Sequence, residues 1–145
     1  MSHRDILAVD PGVMTGWAYL DPNDVEWKAP VCGQSEQAAF TSMVRSYENT
    51  WEAIVVERYT ITQETLRKSR QPASLEIIGF LRAEAQWLDI PFVLQTPADA
   101  KRFASDEKLA AAGWLQPKKD DHANDALRHL LLYCVKMRLM EVPRG

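Results

Sequence analysis

Cysteine is scarce in this sequence, with only Cys32 and Cys134 among 145 residues. The two lie far apart, and neither belongs to a CxxC pair or to a cluster of cysteine and histidine. A structural zinc site and a dithiol redox motif therefore have little support. We interpret both cysteines as buried free thiols.

Long apolar segments are also missing. No run approaches the roughly 20 residues that a membrane-spanning helix requires. The first five residues lead directly into a strand-like stretch, without the long apolar region and small-residue cleavage site of a secretory signal. We expect no membrane association and a cytoplasmic location.

A basic excess is absent as well, since 17 lysines and arginines face 20 acidic residues and give a formal charge of −3. This balance argues at first against a nucleic-acid partner. Two divalent cations in a carboxylate site would, however, bring the formal charge from −3 to +1. The basic residues are also grouped in two stretches, namely Arg58, Arg67, Lys68 and Arg70, and then Lys101, Arg102, Lys108, Lys118 and Lys119. A run of charges is usually a solvated face, and that alternative stays open for both stretches.

The remaining composition is that of an ordinary globular protein, with 46% apolar and 26% charged residues. A chain of 145 residues is long enough for one hydrophobic core and short for two. We therefore expect residues 1–145 to form a single domain.

The apolar patterns predict a mixed α/β fold. Short apolar runs that end in turn residues predict strands, and apolar residues spaced three and four apart predict helices. Predicted strands cover residues 6–9, 15–20, 25–32, 53–56 and 91–94, and predicted helices cover residues 35–50, 73–88, 98–104, 107–112 and 121–139. Because the first three strands have short connections, we expect an antiparallel three-stranded meander. Crossover-connected parallel strands would complete the sheet, with helices flanking it.

Two of the predicted strands end in a carboxylate, Asp10 and Glu57. In open α/β sheets, sites form beyond the carboxyl ends of parallel strands, so these acids would meet at one edge if their strands are neighbours. Close like charges raise each other's pKa, and a hard divalent cation with oxygen ligands is the usual remedy. Taken singly, Asp-Pro-Gly is a common turn, and a glutamate that ends a strand is often a solvated edge residue.

The last predicted helix adds Asp121, His122 and Asp125, three and four residues apart and so on roughly one face. With Asp10 and Glu57 they fit a site for two divalent cations about 4 Å apart, which clamp the attacking and leaving oxygens of a phosphoryl displacement. An acid at position 121 can also simply stabilise the helix N-terminus by roughly 0.3–1 kcal/mol. Helix geometry leaves open whether Asp121 or His122 is the ligand.

Three segments together resemble the RuvC-type Holliday junction resolvases, which belong to the ribonuclease H-like nucleases. The segments are Ile6 to Gly12 followed by Thr15-Gly16, Val55 to Glu57, and His122 to Leu127. They occur in the family's order and at compatible spacing. The glycine turn after Asp10 is one residue shorter than in the bacterial resolvases, and the stretch between Lys101 and the last helix is compressed.

The resemblance implies a ribonuclease H-like fold and a homodimeric endonuclease without a nucleotide cofactor. It implies that two Mg²⁺ or Mn²⁺ ions serve to nick two strands symmetrically at a four-way DNA junction, leaving 5′-phosphate and 3′-hydroxyl ends. Asp10, Glu57 and Asp125 take the role of metal-binding acids, and His122 matches a position that is Asp or His in these enzymes. Such a compact member would be at home in a bacteriophage, and hence in the cytoplasm of an infected host.

The loop after Glu57 carries the expected DNA contacts Arg58, Tyr59, Arg67, Lys68 and Arg70. Basic side chains would hold phosphates, and an aromatic ring could stack on an unpaired base for roughly 1–3 kcal/mol. In the resembling family this loop lies near the junction centre. The alternative is an ordinary solvated loop with one half-buried tyrosine.

Further DNA contacts come from the resemblance. Lys101 and Lys108 correspond loosely to the family's lysines before the last helix. Gly79 and Arg82 match part of its Gly-x-x-Arg-Gly segment. Trp114 could stack on a base or cap the core, whereas we assign Trp51 and Trp87 to packing.

Three rival functions remain. A flap, single-strand or RNA–DNA hybrid nuclease on the same fold would need the same acids. An ATP-dependent phosphotransferase of the actin-like fold needs two such domains, for which the chain is too short. A non-catalytic DNA-binding protein would have a decayed site, and the intact Asp10, Glu57 and Asp125 argue against decay.

Overall fold

A mixed five-stranded sheet lies at the centre of the protein, in a computed structural model that describes residues 4–24, 29–46, 51–59 and 72–144. Its strands are β1 (Asp5–Asp10), β2 (Met14–Leu20), β3 (Val31–Glu36), β4 (Trp51–Glu57) and β5 (Phe92–Gln95). Their order across the sheet is β3-β2-β1-β4-β5. β2 pairs antiparallel with β1 and β3, whereas β4 lies parallel to both β1 and β5. The predicted meander and the predicted parallel strands are therefore both present.

Helices flank this sheet in the described ranges. They are α1 (Gln37–Ser46), α2 (Pro72–Leu88), α3 (Pro97–Phe103), α4 (Asp106–Ala111) and α5 (Asp121–Lys136), and a 3₁₀ turn at Lys118–Asp120 precedes α5. The hydroxyls of Thr96 and Ser105 accept backbone N–H groups and so cap the first turns of α3 and α4. Within the described residues, no helix is both long and apolar enough to cross a membrane.

Side chains alternate along the strands and build an apolar core on each face of the sheet. In β1, Ile6 and Ala8 belong to the core that α5 covers, and Leu7 and Val9 belong to the core that α1 and α2 cover. β1 and most of β4 are thus buried on both faces, which explains their continuous apolar sequences.

The third strand differs from its prediction. It was expected at residues 25–32, of which 25–28 lie outside the described residues, and β3 instead occupies Val31–Glu36. The segment Gly33-Gln34-Ser35 has little intrinsic strand preference, so pairing with β2 rather than local propensity forms this edge strand. The ends of α1 and α5 also differ. α1 ends at Ser46, with residues 47–50 outside the described ranges, and α5 ends at Lys136 rather than near residue 139.

The tryptophans have different environments. Trp51 is buried, and its Nε1 donates a hydrogen bond to the carbonyl of Val44 at 3.2 Å. Trp114 lies in the core on the α5 face, which favours its packing alternative. The assignment of Trp87 to packing is wrong, because its side chain is 85% exposed. Trp87 lies about 200° around α2 from the buried Ala85 and therefore faces outward.

Both cysteines are free thiols. Cys134 is buried, and burial raises its pKa to about 12. Cys32 is only partly buried, and burial, together with the charge of Asp120, raises its pKa as well. The interpretation as buried free thiols is therefore confirmed in full for Cys134 only.

Candidate active site

Three polar side chains lie at the carboxyl ends of three adjacent parallel strands. Asp10, Glu57 and Gln95 each continue the alternation of the residues that pack against α5. The register places Glu57 directly beside Gln95, and Asp10 lies one residue beyond the pair of Val9 and Val56. The three side chains therefore share one edge and one face of the sheet.

Helix α5 carries three further polar side chains across these strand ends, His122, Asp125 and His129. Their spacing of three and four residues puts them on one side of the helix. His122 Nδ1 lies 3.6 Å from Asp10 Oδ2, and His129 Nε2 lies 3.1 Å from Glu57 Oε1. The charge of Asp125 contributes to the raised pKa of Asp10. The four residues predicted to bind metal therefore lie in one region, at this edge of the sheet.

A glycine allows α5 to approach the sheet this closely. Gly16 in β2 pairs with Asp10 in β1. A Cβ atom at this position would collide with the backbone carbonyl of His122, which has no flexible side chain to move aside. The first turn of α5, which carries His122, consequently depends on the absence of a side chain at Gly16.

Asp10 and Glu57 differ in protonation. Burial, the hydrogen bond to Glu57 and the negative charges of Glu57 and Asp125 raise the pKa of Asp10 to about 9. Burial would also raise the pKa of Glu57, but hydrogen bonds with His129 and Asp10 bring it below its usual value. The two acids therefore do not both ionise readily, and the pair tends to share one proton.

His129 connects α5 to two strands. Only 1% of the residue is exposed, and both ring nitrogens are hydrogen bonded. Nε2 lies 3.1 Å from Glu57 Oε1, and Nδ1 lies 2.9 Å from Gln95 Oε1. The histidine therefore joins the ends of β4 and β5 to the helix that carries His122 and Asp125.

Asp125 is held in turn by Arg128. The Nε of Arg128 donates to Asp125 Oδ1 at 3.4 Å. Its other guanidinium nitrogens donate to the Ala104 carbonyl at 2.7 Å and to Asp106 Oδ1 at 2.5 Å. Arg128 thus ties the junction between α3 and α4 to the carboxylate of Asp125.

Short polar side chains fix the segments around the site. Thr15 Oγ1 donates to the carbonyl of Gly12 at 3.0 Å, and Ser74 Oγ donates to the carbonyl of Pro11 at 3.1 Å. The turn after Asp10 is therefore held both from β2 and from the start of α2. On the other side, the Asn124 amide pairs with both backbone groups of Gln116, at 2.8 and 3.1 Å, and so fixes the segment before α5.

The donor set suits a hard divalent cation. Carboxylate oxygens are the ligands that Mg²⁺ prefers, and Mn²⁺ also accepts imidazole nitrogen. Burial is the largest cause of the raised pKa of Asp10, and the negative charges of Glu57 and Asp125 add to it; a bound cation would offset both effects. Among the described residues, no three His, Cys, Asp or Glu side chains are grouped closely enough to hold a metal ion, and Asp10 and Glu57 are hydrogen bonded to each other.

Comparison with solved structures identifies the fold. RuvC of Thermus thermophilus, in complex with a Holliday junction substrate, has a TM-score of 0.62 and 16% identity to this chain, covering 93% of this chain and 96% of that one. The fowlpox virus Holliday junction resolvase has a TM-score of 0.61 and 14% identity, covering 92% and 99%. The chain has the ribonuclease H-like fold of RuvC.

The RuvC-like fold confirms the predicted fold class. No protein-family model matches the sequence, and no curated protein matches it either. The likeness to RuvC is therefore one of structure, over 93% of this chain at 16% sequence identity.

The predicted DNA contacts lie in different places. Lys101 in α3 is exposed and close enough to the acids that its charge lowers the pKa values of both Asp10 and Glu57. Arg58 is exposed directly after β4, and its backbone N–H donates to the Gln95 carbonyl at 2.7 Å. Lys101 and Arg58 thus flank the acidic residues.

Among the described residues, the other predicted DNA contacts show no interaction with the acidic residues. Tyr59 is half-buried. Lys108 holds its ammonium over the ring of Phe103, 4.2 Å from the centroid. Arg67, Lys68 and Arg70 lie outside the described residues, so their role stays a prediction.

Sequence reasoning missed His129, Gln95 and Arg128. His129 follows Asp125 by four residues and His122 by seven, which is the spacing of one helix face. Gln95 ends a predicted strand in the same way as Asp10 and Glu57 do. His129 lies within the apolar stripe of the last helix, and Gln95 has a neutral side chain. Neither residue therefore has the sequence pattern of a charged metal ligand.

Proposed function

We propose that the chain is a divalent-metal-dependent endonuclease that resolves four-way DNA junctions. The observation that carries this proposal is the meeting of Asp10, Glu57, His122 and Asp125 at the carboxyl edge of a RuvC-like sheet. Of the proteins with this fold, RuvC of Thermus thermophilus is in complex with a Holliday junction substrate, and the fowlpox virus protein is a Holliday junction resolvase.

The chemistry follows from the acids. Two Mg²⁺ or Mn²⁺ ions would supply an activated water and stabilise the leaving oxygen, which yields 5′-phosphate and 3′-hydroxyl ends. Asp10, Glu57 and Asp125 would hold this charge as carboxylates, with His122 as a neutral nitrogen donor. The exposed Lys101 lies near enough to contact a DNA phosphate beside these acids.

Paired cleavage of a junction needs two sites, so the proposal includes a homodimer that forms through α2. Leu75 and Trp87 on α2 are 47% and 85% exposed. We take these two side chains as the candidate contacts of the dimer, since a second copy of the chain would remove their apolar surface from water. We also propose that residues 1–145 form one nuclease domain, since the match with RuvC covers 93% of the chain.

A panel of end-labelled substrates tests the reaction and the substrate together. The purified protein would be incubated with a four-way junction, a flap, a duplex, a single strand and an RNA–DNA hybrid, with and without Mg²⁺ or Mn²⁺. We expect metal-dependent paired nicks in the junction that a DNA ligase reseals without prior phosphorylation.

Other outcomes would reject parts of the proposal. Cleavage of only the flap, the single strand or the hybrid would assign the same acids to a different nuclease substrate. Junction binding without cleavage in either metal would indicate a non-catalytic DNA-binding protein.

A further inference from the structure

His129 is a buried polar residue that the proposed chemistry does not itself use. We propose that His129, held by Gln95, is a positioning residue that orients the carboxylate of Glu57 for the metal. This inference rests on the proposed function, because it concerns how one of the proposed ligands is presented.

The contacts run in one line from β5 through α5 to β4. Gln95 Oε1 lies 2.9 Å from Nδ1 of the imidazole, and the opposite ring nitrogen, Nε2, lies 3.1 Å from Glu57 Oε1. Because the two ring nitrogens point in different directions, the bond to Gln95 sets the ring orientation, and the ring then engages one chosen oxygen of Glu57.

Glu57 needs such support because of its place in the fold. It is the last residue of β4, its side chain is 21% exposed, and three rotatable bonds separate its carboxylate from the backbone. Its neighbour Gln95, at the end of β5, is neutral and so adds no further negative charge beside Asp10 and Glu57. His129 holds Oε1 of Glu57, and the same carboxylate is also hydrogen bonded to Asp10, so Glu57 is fixed between the helix and the end of β1.

The surroundings of His129 fit this role better than simple packing. The ring is 1% exposed, so its two hydrogen bonds are shielded from competing water. A residue that merely filled the core at this position would be apolar, as its neighbours Leu127, Leu130 and Leu131 are. Hydrogen-bond partners of metal ligands typically change metal affinity by roughly 10–100-fold when they are removed.

A matched pair of amides separates the two hydrogen bonds. In His129→Asn the side-chain nitrogen can replace Nδ1 and reach Gln95 but is too short for Glu57. In His129→Gln the side-chain nitrogen can replace Nε2 and reach Glu57. Trp51→Phe is the control, because it removes a buried hydrogen bond from the opposite end of the same strand, β4.

Binding of Mn²⁺ is measured from the electron paramagnetic resonance of the free ion, so no cleavage is needed. We expect His129→Asn to lose about 10-fold or more in Mn²⁺ affinity, and His129→Gln to recover most of that loss. Trp51→Phe should lower the melting temperature and leave Mn²⁺ affinity unchanged. A folded His129→Asn protein that binds Mn²⁺ as tightly as the wild type would overturn the inference.

A second measurement applies even if His129→Asn does not fold. In protein with ¹⁵N-labelled histidine and no metal, Glu57→Gln should shift the Nε2 resonance of His129, and an unchanged resonance would overturn the inference. The proposed function fails separately. Wild-type protein that cleaves no substrate overturns the nuclease proposal, whereas normal cleavage and Mn²⁺ binding by His129→Asn overturn only the positioning role.

Discussion

Asp10 is a buried carboxyl group whose pKa lies well above its usual value. Its pKa is raised to about 9, first by burial and then by Glu57 and Asp125. An asparagine at this position would resemble the protonated acid in size and in its ability to donate a hydrogen bond. Asp10→Asn therefore removes the negative charge available to a metal ion while largely preserving the structure around residue 10.

We therefore predict that Asp10→Asn, Glu57→Gln and Asp125→Asn each lower cleavage by about 100-fold or more, as loss of one electrostatic stabilising group does. The fold and the affinity for junction DNA should be largely retained, because these changes remove metal charge rather than phosphate contacts. Cleavage rates, thermal melts and electrophoretic mobility shifts measure the three properties.

The exposed Glu141 supplies the control for this series. Glu141→Gln removes the same kind of charge away from the site and should cleave like the wild type. Substantial activity in any one of the three site variants would remove that residue from the ligand set.

His122 is the proposed nitrogen donor of the site and lies 3.6 Å from Asp10, while its neighbour Asp121 is exposed. Magnesium strongly prefers oxygen, whereas manganese accepts imidazole more readily. We predict higher cleavage with Mn²⁺ than with Mg²⁺ at equal concentration, measured as initial rates.

The two neighbours are distinguished by their own substitutions. His122→Asp should retain cleavage and shift the preference toward Mg²⁺, and Asp121→Asn should have little effect. An inactive Asp121→Asn protein together with a normal His122→Ala protein would show that Asp121 is the ligand.

The residues of the site were predictable from the sequence to different degrees. Asp10 and Glu57 end apolar strands, so their meeting requires only that the two strands are neighbours. His129 carries the right helical spacing, but its partner Gln95 belongs to a separate strand. Single-sequence patterns do not report such a pairing, because it depends on how closely α5 packs on the sheet.

At the scale of elements, the position of α5 depends on a residue of β2 that has no side chain, Gly16. Gly16 leaves room for the carbonyl of His122, and an added methyl group has only backbone to displace. We predict that Gly16→Ala lowers the free energy of unfolding by about 1–3 kcal/mol. Cleavage should fall as well, because the first turn of α5 carries His122. Urea denaturation and cleavage rates test both effects.

Gly79 in α2 offers a matched control, since a Cβ atom there would meet no atom within 4 Å. Gly79→Ala should raise the free energy of unfolding by up to about 1 kcal/mol through helix propensity. If Gly16→Ala is as stable and as active as Gly79→Ala, the close approach of α5 does not control the site.

Among the elements, the strands with continuous apolar runs were placed well and the edge strand was not. β1 and most of β4 are buried on both faces, and their continuous apolar sequences indicate such buried strands directly. β3 contains Gly33, Gln34 and Ser35 and forms because β2 offers it unpaired backbone groups. An edge strand of this kind is determined by its partner, which a local pattern does not contain.

At the scale of the whole molecule, the outward face of α2 bears on the number of subunits. Trp87 is 85% exposed near the end of α2. We predict that the protein is a dimer in light scattering, and that Trp87→Glu shifts the population toward monomer by placing a charge in the interface.

The exposed Val142 lies outside α2 and provides the comparison. Val142→Glu should leave the dimer intact, so a similar effect of both substitutions would reject a specific role for α2. A wild-type monomer, with and without junction DNA, would contradict paired cleavage and favour a flap-type enzyme.

The packing of α5 against β1 and β2 also bears on when activity arises during synthesis. β1 and β2 leave the ribosome early, whereas α5 is the last of the described helices to be made. Asp10 therefore meets His122 and Asp125 only after most of the chain has been translated. A nascent chain that lacks α5 holds one strand-end acid pair and an uncovered apolar sheet face. Degradation or chaperone binding would therefore act on such a chain before the proposed metal site could form.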